Sequence, residues 1–303
     1  MHSRLLTILV TAYTPASWGT TYIVTTELLP PHRPLLAGVV RALPSGLILL
    51  AFTRELPRGE WWWKSFVLGA VNVGVLFAFL FIAAERLTGG VASTVTALSP
   101  LIVAILSWPL LGIRPTVTMI AAGVIGVVGV ALLVLTPSAA LDSIGLLAAV
   151  GTTSVFALGM VLTKRWGRPS SLVAFTGWQL AAGGLMLLPV ALAVEGLPDS
   201  VGGRALGGFA YLAIANTALA YALWFRGIEH LSATAVSFLL LLVPIVATLL
   251  GLVVLDETLT LLQACGMLLA FLGLVGGQLA EAARSRRAVL SEPVAATPAS
   301  RAR

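Results

Sequence analysis

"AAERLTGGVASTVTALSP" (residues 83–100) is answered downstream by "GIEHLSATAVSFLLLLVP" (residues 227–244). Aligned without a gap at a constant offset of 144 residues, the two share Glu85/Glu229, Leu87/Leu231, Ser93/Ser237 and Pro100/Pro244. The same offset pairs Asn72 with Asn216, Phe81 with Phe225 and Gly129 with Gly273. Upstream it becomes 138, matching Gly46-Leu47 to Gly184-Leu185 and setting Arg41 opposite Gln179. The chain therefore reads as one unit written twice, over residues 1–137 and 138–281. A basic tail, 282–303, follows and is expected to be disordered and cytoplasmic.

Composition says what solvent the duplicated unit meets. Of 303 residues, 58% are hydrophobic and only 10% are charged, and the mean hydropathy is +1.01. A soluble domain carries about 25% charged residues, so too few charges are present here to wet a globular surface. The charges cluster between apolar runs of roughly the 17–25 residues that cross a bilayer as helix. Ten such runs are expected: 5–25, 34–53, 65–84, 88–110, 116–135, 143–163, 171–193, 205–225, 233–254 and 259–279. The strict polar/apolar alternation of a membrane barrel is absent, so the fold class is an all-α polytopic membrane protein. The first run is taken as a helix and not a cleaved leader, because its removal would break the repeat.

Five runs per unit is an odd number, so the second unit must lie upside down relative to the first. The charges test this independently. With the N-terminus inside, the inside segments hold 14 Lys and Arg and the outside loops hold three, Arg33, Arg86 and Arg204. The positive-inside rule then places both termini in the cytoplasm, with the plasma (inner) membrane as the expected location. Equivalent loops also trade charge, since the loop after the first run carries Arg33 while its counterpart reads "KRWGR". The net charge of +6 comes largely from these inside segments and the tail, which argues for a lipid partner and against nucleic acid.

Inverted repeats are a signature of secondary transporters, whose halves exchange conformations around a shared midplane site. The motifs "SWGTTYIV" in the first run, "RALPSGLIL" in the second, the quoted Ser…Pro stretches and "DETLT" at 256–260 resemble the EamA-type drug/metabolite transporter superfamily. The resemblance covers nearly all of 5–280, in order, in two EamA-like five-helix repeats. It implies efflux or exchange of a small organic metabolite, often an amino acid. One departure stands in "GIRPT", where Ile113 occupies a position that is usually Glu in that family.

Polar groups deep in a span must face an interior path or another helix. Asn72 and Asn216 are near mid-span, and each either meets substrate or bonds a neighbouring helix. Arg41 lies about 9 Å into its run at 1.5 Å per residue. It either forks onto a substrate carboxylate or snorkels to the outer surface. Gln179, its repeat partner, is a milder candidate. Trp18 and Trp178 either wall a cavity or simply pack, with Tyr221 a partner for Asn216. Ser93, Thr94, Thr96 and Ser237 precede the paired prolines Pro100 and Pro244, which read as hinges. Ser93, Thr94 and Thr96 either relieve the freed backbone groups or, as Ser237 is also expected to do, face the substrate path. Trp61, Trp62, Trp63, Trp108, Trp166 and Trp224 lie near run ends and read as an interfacial belt.

Gly126 and Gly129 in the fifth run, with Gly266 and Gly273 in the tenth, belong to small-residue stripes that pack either against each other or in a homodimer. No Asp, Glu or Lys stands at a run centre, and His2, His32 and His230 share no ligand spacing. A metal site and a resident cofactor are therefore not expected. Cys265 is alone, so no internal disulfide forms, and no phosphate-binding loop is present. The rival readings are a membrane-embedded enzyme, which needs a His/Asp/Glu cluster that the sequence does not offer, and a non-transporting scaffold.

Overall fold

The computed structural model describes residues 2–30, 33–87, 94–134, 142–198, 201–254 and 260–291. Ser93, residues 256–259 of the acidic turn and residues 292–303 of the tail lie outside them. All regular structure among the described residues is helical.

In the first half the helices are α1 His2–Gly19, α2 Thr21–Leu28, α3 Pro34–Thr53, α4 Trp61–Gly69, α5 Val75–Arg86, α6 Ser99–Leu111 and α7 Val117–Val134. In the second they are α8 Ser143–Trp166, α9 Leu172–Val194, α10 Gly203–Ala213, α11 Ala220–His230, α12 Ala233–Phe238, α13 Leu242–Val254 and α14 Leu261–Ser291. Local signals set several starts. Asp142, Ser171 and Ser232 accept from the amides of Gly145, Ala174 and Ala235. Thr260 and Gln263 bond reciprocally, side chain to backbone, which is a capping box at the head of α14.

Among the described residues, nine helical stretches are long and apolar enough to cross a bilayer. The stretch 2–28, expected as the first of ten, is not among them. It is divided at Thr20, and Thr7, Thr11, Thr14, Ser17 and Thr21 recur every three or four residues along it. That stripe lowers its hydropathy and turns inward, with Thr11 and Thr14 fully buried. Outward faces elsewhere carry exposed Ile105, Leu147, Leu185 and Val253, the side chains that lipid solvates.

The packing repeats itself when the halves are exchanged. α1 packs on α11 as α8 packs on α5, and α1 on α13 as α8 on α6. α3 and α9 pack on each other, as do α7 and α14. Glycines show the register. A Cβ on Gly46 would meet the backbone of Ala181, and one on Gly184 would meet that of Leu43. A Cβ on Gly129 would meet Ala270, and one on Gly273 would meet Gly126. Each pair of contacts is reciprocal at the repeat offset, so both interfaces are isologous about one two-fold relation. As numbers rise on one helix they fall on its partner, so the equivalent helices run antiparallel. The small-residue stripes of α7 and α14 thus face each other within one chain, with Gly266 against the backbone of Gly129 and Leu133.

The tail expectation needs correction at its start. Helix α14 continues past residue 281 to Ser291 because Ala280, Ala282, Ala283 and Arg284 favour helix. Arg284 reaches back to Glu281 at 2.5 and 3.0 Å, and Ser285 bonds the Glu281 carbonyl.

Candidate functional site: two crossed half-sites on a pair of π-helical segments

α4 and α5 are joined by a π-helical segment, Ala70–Gly74, and α10 and α11 by another, Ile214–Leu219. The two begin 144 residues apart, at equivalent repeat positions. A π turn widens the helix, frees carbonyls from their usual partners, and occurs often at functional sites. Side chains from the opposite half satisfy those carbonyls. Trp18 donates to the Asn216 carbonyl at 3.1 Å, Thr14 to that of Ala220 at 2.7 Å, and Tyr13 to that of Ala215 at 3.3 Å. Ser45 shares its hydroxyl between the carbonyls of Arg41 and Ala213. In the other direction, Tyr221 donates to the Asn72 carbonyl at 3.1 Å.

The asparagines pair crosswise with the residues their repeat partners would use. Asn72 Nδ2 donates to Gln179 Oε1 at 2.8 Å, while Asn216 Oδ1 accepts from Arg41 Nη2 at 2.6 Å. Exchanging the halves converts one pair into the other. Arg41 also donates from Nε to Thr217 at 2.8 Å and lies over the Phe77 ring at 5.7 Å. Asn216 is held from behind, its Nδ2 donating to the Ser17 carbonyl at 2.6 Å. Asn72 is held by close approach, since a Cβ at the Gly159 position would collide with its Oδ1.

This architecture matches the model of the EamA-like transporter family over residues 5–135 and again over 143–276. The chain belongs to the EamA-like transporter family. It is 47% identical over 265 residues to the protein PecM of Dickeya dadantii, covering 87% of this chain and 89% of that one. It is 28% identical to a WAT1-related chloroplastic protein of Arabidopsis thaliana, over 82% of this chain and 64% of the other. A solved crystal structure superposes with a TM-score of 0.77 over 91% of this chain and 98% of its own, at 20% identity, a likeness of fold. The chain is thus a multi-pass integral membrane transporter of two EamA repeats.

Within this EamA fold the candidate residues separate. Asn72, Asn216, Arg41, Gln179, Trp18 and Tyr221 join the crossed network. Arg41 does not snorkel: it is 9% exposed, and its guanidinium is turned inward to Thr217 and Asn216. Trp178 stands apart, donating to the Glu55 carbonyl at 2.8 Å where α3 has ended. Ser237 bonds back to the Thr234 carbonyl at 2.7 Å, within its own helix. Thr96 is half-buried, and its carbonyl, which Pro100 cannot serve, accepts from Ser99 at 2.7 Å. Pro100 follows a turn at Ala97-Leu98, and Pro244 follows a 3₁₀ turn at Leu239–Leu241, so the helix breaks fall at equivalent places.

Trp224 corrects the belt reading, because it is fully buried. It packs 5.3 Å from Trp18 and is stacked on Phe156 at 5.9 Å, while Trp18 also meets Tyr221 at 5.2 Å. Among the described residues its Nε1 has no acceptor. Thr217 and Phe156 join the site without being singled out by the sequence pattern, although Thr217 is a polar residue beside Asn216 in mid-run.

Both ends of the bundle carry ties between helices. Lys164 Nζ donates to the carbonyls of Ile228, Glu229 and Leu231, each at 2.8 Å, closing the end of α11. Arg168 grips Glu229 with two bonds, at 3.0 and 3.1 Å. At the far end Glu195 accepts from the amides of Leu35 and Leu36 at 2.7 and 2.8 Å, capping α3 with the end of α9.

Proposed function

We propose that this protein is a secondary transporter, an exporter or exchanger of a small organic metabolite such as an amino acid, working by alternating access between two inverted five-helix repeats. The crossed pairing of Asn72 with Gln179 and of Asn216 with Arg41 is the observation that carries this reading. Two equivalent polar centres that swap under exchange of halves are what a shared midplane site requires. The antiparallel course of the equivalent helices supports inversion. Residues 2–28 serve as the tenth span, its polar stripe turned onto the second π segment.

With both termini in the cytoplasm, the Lys164–Glu229–Arg168 tie belongs to the inner face and the Glu195 cap to the outer face. Opening inward breaks the first, and opening outward breaks the second. The inner tie takes the place of the Glu that Ile113 replaces in the resemblance. The paired breaks ahead of Pro100 and Pro244 supply the bending points. Exposed ion pairs of the Arg168–Glu229 kind are worth only about 0–1 kcal/mol, so such a tie can be undone during a transport cycle.

The inversion is tested by topology. In a Cys265→Ser background, Ser138→Cys is labelled with a membrane-impermeant maleimide on intact cells. Labelling from outside is expected, and labelling only after permeabilisation removes the inverted repeat and the mechanism with it.

A further inference from the structure

We propose that the transported molecule carries an anionic, carboxylate-type group that pairs with Arg41, its planar or apolar body lying against Trp18, Phe156, Tyr221 and Trp224. This rests on the transporter reading above and names the substrate class of the same site. Arg41 is the fixed positive charge of the crossed network, and its contacts there are with neutral partners: Thr217, Asn216 and the Phe77 face. The ion pairs among the described residues are Lys64–Glu60, Arg86–Asp142, Arg168–Glu229 and Arg284–Glu281, and none includes it. An arginine buried among helices without a counter-ion is costly, and that cost falls when a mobile anion supplies the missing charge.

Donors are in surplus as well. Arg41 bonds through Nε and Nη2, and among the described residues the buried Trp224 indole N–H has no acceptor. The guanidinium bonds Asn216 Oδ1 and the Trp18 indole bonds the Asn216 carbonyl, so the cation and the ring cluster meet at one residue. A planar carboxylate matches the guanidinium fork, and the rings offer its carbon skeleton an apolar wall. The twin half-site, with Gln179 in place of Arg41, carries no such charge, so the recognition is one-sided.

The test uses the full chain in liposomes and two matched pairs of labelled solutes: phenylacetate with phenylacetamide, and phenylalanine with phenylalaninamide. Rates are taken above those of protein-free liposomes. The acid of each pair is expected to move at least about tenfold faster than its amide, as loss of one charge-assisted bond implies. Arg41→Gln removes that preference, while Arg41→Lys keeps its sign and lowers the rate. Thermal unfolding in detergent shows that both variants are folded, and Arg41→Lys alone decides if Arg41→Gln does not fold. Amides carried as fast as acids, or a folded Arg41→Gln that still prefers acids, overturns the proposal and leaves the transporter reading standing. If none of the four solutes exceeds the control, both fall.

Discussion

The two half-sites share a backbone and differ in chemistry. Each has a π segment, an asparagine in it, and a partner from the antiparallel pair α3 and α9. Around Asn72 the fittings are neutral: Gln179, Val73 at the place of Thr217, and Gly183 at the place of Ser45. Around Asn216 they are Arg41, Thr217 and Ser45, with the stripe of α1 behind them. Duplication therefore supplied the widened helix twice, and one copy alone acquired a buried charge with the donors and acceptors that hold it. A symmetric frame lets both halves move alike, while an asymmetric lining lets one of them do most of the discriminating.

The largest expected effect comes from breaking the charged side. Asn216→Ala removes the 2.6 Å bond to the Arg41 guanidinium, which keeps Thr217, and the bond to Ser17. It should cost about 2–4 kcal/mol, one bond to a charged group plus one neutral bond. Asn72→Ala loses one neutral bond and should cost about 1–2 kcal/mol. Midpoints of thermal unfolding in detergent rank the two, and equal losses would erase the distinction between the half-sites. Next comes Gly159→Ala, whose new Cβ would press the Asn72 carboxamide off Gln179. A loss of about 1–3 kcal/mol is expected from that overpacking. Combined with Asn72→Ala it should be clearly less than additive, because the displaced group is already gone.

What the sequence carries of this arrangement follows from what periodic patterns can encode. Small-residue stripes at i, i+4 and i+7, Ala122/Gly126/Gly129 and Gly266/Ala270/Gly273, announce a close helix contact, and α7 and α14 make it. Mid-run Asn72 and Asn216 stand out against an apolar background, and so does Arg41. Which of these and Gln179 pair with which does not stand out, because a contact between residues 107 or 175 positions apart leaves no local trace. Trp224 misleads for a related reason. Its distance from the end of α11 suggests an interface, but only the direction of the side chain decides, and the wide turn at Ile214–Leu219 resets that direction. The low hydropathy of the first stretch has a related cause, since Thr14, Ser17 and Thr21, which lower it, are bonded to Ala220 and Asn216 at the second π segment.

The smallest effect should come from Tyr221→Phe, and it sharpens the comparison most. The repeat equivalent of Tyr221 is Phe77, so the change makes the two positions identical and removes the 3.1 Å bond to the Asn72 carbonyl. Losing one neutral hydrogen bond should cost about 1 kcal/mol. If the charge at residue 41 governs selection, the acid-over-amide ratio stays within about twofold of the unmodified protein while the unfolding midpoint falls, because such a ratio tracks charge-assisted bonds that this hydroxyl does not make. A collapse of the ratio would mean that the neutral half-site reads the substrate too. The division between a discriminating half and a merely matching half would then be lost, even with Arg41 intact.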